Sequence, residues 1–276
     1  MSLSINTNAA ALNALQNLNR TNDDLQATQL RINTGLKVQN AKDNAAVYAI
    51  AQNLRANLQG LSAVKQSLDR SISAVDIALA ASESIADVLI QMKEKVVAAA
   101  DSGLDDQSRS ALQEDFNALR DQITTLVDNA TFNGTNLING GGDIVTAITN
   151  ADATQSISIP HQDLSLSSTN VGLSAGATFT SDAQAQALIA TIDDAIQNVS
   201  SVMTVMGAGS RSMELQRTFA DKLSDTLETG IGNLVDADLA RESASLQALQ
   251  VKQQLGTQAL SIANSQPQVI LSLFGN

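Results

Sequence analysis

The feature that most constrains the fold is a pair of apolar ladders in heptad spacing, one near each end of the chain. Apolar residues recur at seven-residue steps or multiples of seven in both segments, with one leucine at an offset position in each. The ladder residues are Leu15, Leu18, Leu25, Ile32, Leu239, Leu246, Leu249 and Leu260. Such spacing is typical of helices that pair along a seam. Because neither ladder has another strong partner in the sequence, we predict that the two ends of the chain pair with each other.

Each ladder extends over only about four helical turns, which limits the stability of such a pair. Ordering about 30 residues costs roughly 1.5 kcal/mol each, more than a handful of half-buried leucines return. We therefore expect the two ends to be loose in a monomer and to fold against neighbouring copies. This predicts a self-assembling protein whose subunit interface contains the eight ladder residues.

The composition favours long helices packed side by side. Apolar residues make up 43% of the 276 residues, but aromatic residues make up only 2% and tryptophan is absent. A compact enzyme of this length normally fills its core with larger side chains. The net charge of -12 argues against a nucleic-acid partner, because binding to a phosphate backbone needs clustered Lys and Arg.

Three further properties of the sequence bear on its cellular fate. The chain has no cysteine, which suits a protein that unfolds in the cytosol and refolds outside the cell without forming wrong disulfides. The first 20 residues lack a basic leader followed by an apolar run, so a secreted fate would need a dedicated export route that does not cleave a leader. The sequence contains no run of about 18 apolar residues, the length that a membrane-spanning helix needs.

Periodicity between the two ends predicts an antiparallel helical bundle. A seven-residue grid from residue 44 to about residue 100, broken at Ser82, predicts one helix of about 85 Å. Gly103 then offers a stop and Asp105 or Asp106 an N-cap for a second helix that folds back. A third helix is predicted from about residue 182 to 229, with close approach of another helix or a local bend at Gly207 and Gly209.

The helical period disappears between residues 131 and 181. Asn133-Gly134 and Asn139-Gly140 are typical of hairpin turns, and the alternation of Gln155, Ile157 and Ile159 with serines predicts a half-exposed strand. The Ser and Thr density makes this region either a site of O-linked modification or simply a solvated loop.

Glycines divide the chain into five predicted segments. Gly35 is predicted to be the C-cap after the first ladder, and Gly230 and Gly232 are expected to interrupt the returning helix. We predict a terminal coiled coil, an outer bundle and a hairpin region. The terminal coiled coil comprises residues 1–35 and 236–276, the bundle helices lie in 36–130 and 182–235, and the hairpin region is 131–181. The predicted fold class is mainly α, a long antiparallel bundle with a terminal coiled coil and a small central β-hairpin.

No catalytic, cofactor or metal site is predicted. The single histidine, His161, follows Pro160 and has no second imidazole or cysteine for a zinc site or a nucleophile. The carboxylate pairs, such as Asp105-Asp106 and Asp236/Asp238, are better explained as helix caps or solvated faces than as an acid and base. Gly207 to Ser212 lacks the ending of a phosphate loop.

At both ends the sequence resembles bacterial flagellin, in the form found in alphaproteobacteria. The matching segments are Leu3–Asn8, Arg31–Val38, Ala41–Ala46 and Phe132–Ile138 in the first half, and Asp236–Ala240 and Leu255–Phe274 in the second. The matches occur in the family's order and leave only the central loop uncovered. Only about 45 residues lie between Ile138 and Asp182, so we expect little or no outer decoration.

The resemblance implies a subunit of the extracellular flagellar filament, exported unfolded by the flagellar type III apparatus. It further implies partnership with other copies of the chain, the filament cap, the junction proteins and an export chaperone. In the flagellin family one segment near the C-terminus serves in lumen packing and chaperone docking. The residues that match this segment are Val269, Ile270, Leu271, Leu273 and Phe274. Two alternatives are a hook-filament junction protein, which shares the terminal coiled coil, and a helical-hairpin signalling or adaptor protein.

Overall fold

The computed structural model describes the backbone of residues 7–274 and the side chains of residues 7–265. Within those limits the chain is mainly helical with one two-stranded antiparallel sheet, which confirms the predicted fold class. The elements are α1 (Ala9–Thr34), α2 (Ala45–Ala99), α3 (Asp106–Asn129), β1 (Val145–Ile148), β2 (Ser156–Ile159), α4 (Asp182–Val235) and α5 (Leu239–Phe274). The chain divides into a terminal unit, Met1–Ala56 with Leu227–Asn276, and a central unit, Asn57–Thr226.

The central unit is built on α2 and α4, which run antiparallel. Lys93 forms an ion pair with Asp193 near one end, and Lys65 pairs with Asp221 near the other. The predicted seven-residue grid of α2 is the buried seam of this pair, and α4 contributes residues at three- and four-residue steps. The fully buried members are Leu68, Val75, Leu89, Val96, Ile192, Val199, Met206 and Met213. Ser82, where the grid breaks, is also buried, and its hydroxyl donates to the Ala78 carbonyl at 2.7 Å.

Helix α3 begins where the sequence predicts, because Asp105 caps it. The Asp105 carboxylate accepts a hydrogen bond from the Ser108 amide at 3.0 Å, and hydrogen bonding to the side chain and the amide of Ser108 lowers the pKa of Asp105. Arg109, which the sequence did not single out, is buried and donates to the carbonyls of Ala99, Asp101 and Leu104. The buried guanidinium thereby satisfies carbonyls at the end of α2 and fixes the turn into α3.

The region between α3 and α4 is irregular, and two predicted features of it are confirmed. Asn133 and Gly134 have φ values of 50° and 83° within a turn closed by hydrogen bonds between Phe132 and Thr135, as a hairpin-type turn requires. Strands β1 and β2 pair with Val145 opposite Ile159 and Ile148 opposite Ser156. The buried faces of the strands pack on the helices, so the hairpin belongs to the core of the central unit.

The β-hairpin packs closely against α4 at Gly209. A Cβ atom at Gly209 would lie 2.5 Å from Cδ1 of Ile159, whereas a Cβ at Gly207 would meet nothing within 4 Å. The predicted close approach therefore occurs at Gly209, and its partner is strand β2 rather than another helix.

This pair of glycines gives a matched test of packing. We expect Gly209→Ala to destabilise the central unit by about 1–3 kcal/mol, because the buried Ile159 must move. Gly207→Ala is expected to stabilise it by up to about 1 kcal/mol through helix propensity alone. Thermal unfolding followed by circular dichroism measures both, and equal shifts in the same direction would contradict the explanation.

The predicted interruption at Gly230 and Gly232 is wrong, because α4 continues through both glycines to Val235. Ile231 and Val235 are buried in the terminal unit, with exposed fractions of 8% and 1%. Burial of these side chains outweighs the cost of about 1 kcal/mol that each glycine adds in a helix. The helix therefore ends only at the residues that pair with the segment after Gly35.

Candidate self-assembly surface

The predicted pairing of the two chain ends is present as an antiparallel contact between α1 and α5. Three polar contacts define its direction along the whole length of α1. The Asn8 side chain donates to the Ala263 carbonyl at 2.7 Å, and Gln253 donates to the Asn22 side chain at 2.7 Å. Arg31 lies 3.5 Å from Glu242 at the other end. The first and last helices of the described chain thus form one two-helix element.

Backbone hydrogen bonds join the segment after α1 to the segment after α4, at the point where both helices end. Gly35 has a φ of 71° and caps α1, with its amide donating to the Arg31 carbonyl. Lys37 donates its amide to the Val235 carbonyl at 2.7 Å, and Ala237 donates to the Gly35 carbonyl at 2.8 Å. Asp238 then caps α5 by accepting from the Ala240 amide at 3.0 Å. The interpretation of Asp238 as a helix cap is confirmed.

The eight predicted interface residues lie on α1 and α5, and none of them is fully buried. Leu18, Leu25, Ile32, Leu246, Leu249 and Leu260 are half-buried, whereas Leu15 and Leu239 have exposed fractions of 43% and 50%. Leu18 packs where α5 has no side chain, since a Cβ at Gly256 would lie 3.2 Å from Leu18 Cδ1. The seam is close-packed there but leaves much of its apolar surface in contact with solvent.

Sequence reasoning missed a second set of apolar residues on the same two helices. These side chains lie outside the ladders and are at least half exposed, so the partner helix does not cover them. They are Leu12, Leu30, Val251, Leu255 and Ile262, with exposed fractions of 54%, 50%, 55%, 58% and 66%. The signal was available as apolar residues off the heptad positions. A two-helix element with apolar residues both in and outside its seam is typical of a surface that other chains cover.

The predicted lumen and chaperone segment is only partly described. Val269, Ile270, Leu271, Leu273 and Phe274 belong to the helical backbone of α5. Their side chains lie outside the described residues, so their assigned role stays a prediction.

Charge is distributed unevenly between the two units. The terminal unit has 7 Lys and Arg against 7 Asp and Glu, whereas the central unit has 9 against 21. The whole net charge of -12 therefore belongs to the central unit. A neutral unit with exposed leucines associates with copies of itself without the repulsion that a charged one would meet.

Apart from that of Asp105, the pKa shifts in the central unit come from surface ion pairs. A hydrogen bond to Asp115 raises the pKa of Lys95, and one to Asp69 raises the pKa of Arg217. Over the described residues no three His, Asp or Glu side chains come together as metal ligands. The His161 ring contacts the Asn139 carbonyl in the irregular region. Among the described residues, none of the helices has both the length and the apolar character needed to cross a membrane.

Comparison with known proteins identifies relatives over nearly the whole chain. Residues 5–143 match the bacterial flagellin N-terminal helical region, and residues 189–274 match the bacterial flagellin C-terminal helical region. Flagellin FljK of Caulobacter vibrioides is 48% identical over 98% of both chains. A flagellin of Brucella melitensis is 35% identical over 98% of this chain and 99% of its own.

Two solved structures share the fold at low sequence identity. Bacillus cereus flagellin superposes with a TM-score of 0.50 at 18% identity, covering 56% of this chain and 88% of its own. A protein described as hook-associated from Vibrio parahaemolyticus gives 0.56 at 15% identity, covering 70% and 100%. At these identities the likeness concerns the fold alone.

Proposed function

The chain belongs to the bacterial flagellin family, a family of structural filament subunits rather than enzymes, and on that premise we propose that it polymerises into the extracellular filament that drives swimming. The chain is exported unfolded through the flagellar type III apparatus and folds as it joins the filament. Its partners are other copies of itself, with the cap, the junction proteins and an export chaperone acting before or beside polymerisation.

One observation supports this proposal most directly, namely the incomplete burial of the α1–α5 seam. The eight ladder residues are half-buried or exposed, and five further apolar residues on the same helices are at least half exposed. Exposed apolar surface of this extent on two paired helices favours burial against further chains. We therefore propose Leu15, Leu18, Leu25, Ile32, Leu239, Leu246, Leu249 and Leu260 as the core of the inner subunit interface.

The junction-protein alternative makes a different prediction about the assembled product. A junction protein forms only a few turns of structure, whereas a filament subunit adds to its own ends without limit. The identity of 48% to a flagellin over 98% of both chains favours the filament subunit. Electron microscopy of purified protein after addition of filament seeds separates the two, since persistent short caps would contradict the proposal.

Amide hydrogen exchange tests the coupling of folding to assembly. We expect the amides of Ala9–Thr34 and of residues 239–265 to exchange rapidly in the dilute monomer. In the filament their exchange is expected to slow by about a hundredfold or more, because opening then requires breaking subunit contacts. Helix α3, whose apolar face with Phe116 and Ile123 is buried in the central unit, serves as the internal control and should be protected in both states. Strong protection of both ends in the monomer would contradict coupled folding.

A further inference from the structure

Helix α4 carries an apolar stripe in the central unit that no other part of the described chain covers. Val205, Ala208, Leu215 and Phe219 lie at steps of three, seven and four residues, with Ser212 between them. The three larger side chains have exposed fractions of 45%, 67% and 57%. The neighbouring positions Met206 and Met213 face α2 and are fully buried, so this stripe, the α4 stripe, is a second face of the helix.

Helix α2 carries a second exposed stripe with the same spacing. Ala80, Glu83, Asp87, Ile90, Glu94 and Val97 follow one another at alternating steps of three and four residues. Ile90 and Val97 have exposed fractions of 55% and 50%, and the charges interleaved with them are all acidic. We call this set the α2 stripe.

The two stripes are complementary in one antiparallel register. When Ile90 lies opposite Leu215, Val97 lies opposite Ala208. The same register places Glu94 opposite Arg211 and Glu83 opposite Lys222. Both cations are exposed, and no ion pair found among the described side chains involves either of them. Two apolar contacts and two opposite-charge pairs thus coincide in this register, and charge pairs between helices fix the partner and the orientation.

We propose that the α2 stripe of one subunit packs against the α4 stripe of a second copy in this register. The proposal rests on the proposed function and specifies one lateral contact of the filament. The occupant is a second copy because the chain itself supplies the complementary stripe, in both apolar spacing and charge.

The contact cannot form within one molecule, since α2 and α4 of the same chain are already paired in another register. Lys93 faces Asp193 there, so Ile90 lies level with Ile196. Leu215 is 19 residues further along α4, a distance of about 28 Å at 1.5 Å per residue. Parallel neighbours joined by the two stripes are therefore staggered by about 28 Å. Because the two surfaces differ, each copy leaves one stripe free for the next, and the contact propagates without closing on itself.

Disulfide cross-linking tests the register directly, because the chain has no cysteine. Two single-cysteine proteins, Ile90→Cys and Leu215→Cys, are mixed, polymerised on wild-type seeds and oxidised. We expect a covalent dimer in mixed filaments and at least about tenfold less of it in filaments of either variant alone. Ile144→Cys, at a central-unit position with an exposed fraction of 59%, replaces Ile90→Cys in the matched control.

Charge exchange provides the second test. We expect Glu94→Arg and Arg211→Glu each to raise the critical concentration for polymerisation about fivefold. The double variant is expected to return within about twofold of the wild type, because it restores an opposite-charge pair. Glu214→Arg, the same kind of change beside the stripe on α4, should have little effect.

The outcomes separate this contact from the proposed function. If the wild-type chain polymerises but mixed filaments of Ile90→Cys and Leu215→Cys give no covalent dimer, the contact alone is overturned. A double charge variant as impaired as the single ones would also overturn the contact alone. Cross-linking of Leu215→Cys to a different polypeptide in filaments sheared from cells would also overturn it. Failure of the wild-type chain to polymerise would overturn the proposed function and this contact together.

Discussion

Replacement of Leu18 by aspartate is expected to abolish filament formation while the central unit stays folded. Leu18 packs against the backbone of α5 at Gly256, where no α5 side chain intervenes. A carboxylate at this point has no partner, and its burial costs several kcal/mol. Because every subunit of a filament repeats the defect, we expect the critical concentration to rise by more than about a hundredfold.

A second substitution on α1 tests whether this helix contacts only α5 of its own chain or also contacts neighbouring subunits. Leu12 lies on α1 with an exposed fraction of 54% and outside the ladder. If α1 only paired with α5, Leu12→Asp would be tolerated. Since we propose that neighbouring copies cover this surface, we expect Leu12→Asp to prevent polymerisation as well.

The control for both substitutions is Asn19→Asp, which adds the same charge to α1 at an exposed polar position. Seeded polymerisation followed by sedimentation measures the critical concentration of all three proteins. Circular dichroism of the monomers checks that the central unit remains folded. If Leu12→Asp polymerises normally, the subunit interface comprises only the α1–α5 seam. If Leu18→Asp polymerises normally, pairing of α1 with α5 is not needed for assembly.

The helices were predictable because each buries one face along a long partner. A seam such as Leu68, Val75, Leu89 and Val96 repeats every seven residues or a multiple of seven, and that repeat is readable without knowing the partner. The Asp105 and Asp238 caps were predictable for a similar reason, since a cap depends only on the next few residues.

Features that depend on contacts distant in the sequence were not predictable. The continuity of α4 through Gly230 and Gly232 depends on the burial of Ile231 and Val235, which the local pattern does not reveal. The sequence suggests that Arg109 is an ordinary surface charge. Its burial follows from the turn between α2 and α3, which places three carbonyl groups within hydrogen-bond distance of its guanidinium. The partner of Gly209 was likewise predicted as a helix, because the sequence does not show where the hairpin docks.

The candidate interface was predictable in location but not in extent. The ladder marks the stripe along which α1 and α5 meet, and heptad analysis finds one stripe for each helix. Leu12, Leu30, Val251, Leu255 and Ile262 lie outside those stripes, so they were not included. A helix that contacts several neighbours has apolar residues on several faces, and its periodicity weakens accordingly.

Truncation of Phe116 to alanine is expected to be among the most destabilising single changes in the central unit. Phe116 on α3 is fully buried, and its ring meets the edge of Phe179 with centroids 5.4 Å apart at 73°. Its removal loses the transfer free energy of the ring, the aromatic contact and the packing of the cavity wall, about 3–5 kcal/mol in total. For a unit of this size the melting temperature is expected to fall by about 10 °C or more.

Phe219 supplies a control of identical chemistry at an exposed position. Its ring has an exposed fraction of 57% on the α4 stripe, so Phe219→Ala should change monomer stability by less than about 0.5 kcal/mol. The two variants are therefore expected to separate folding from assembly: Phe116→Ala lowers the melting temperature, whereas Phe219→Ala leaves it unchanged and raises the critical concentration. Scanning calorimetry and seeded polymerisation measure the two quantities. Equal melting temperatures would contradict the assignment of Phe116 to the core, and unimpaired polymerisation of Phe219→Ala would count against burial of the α4 stripe in the filament.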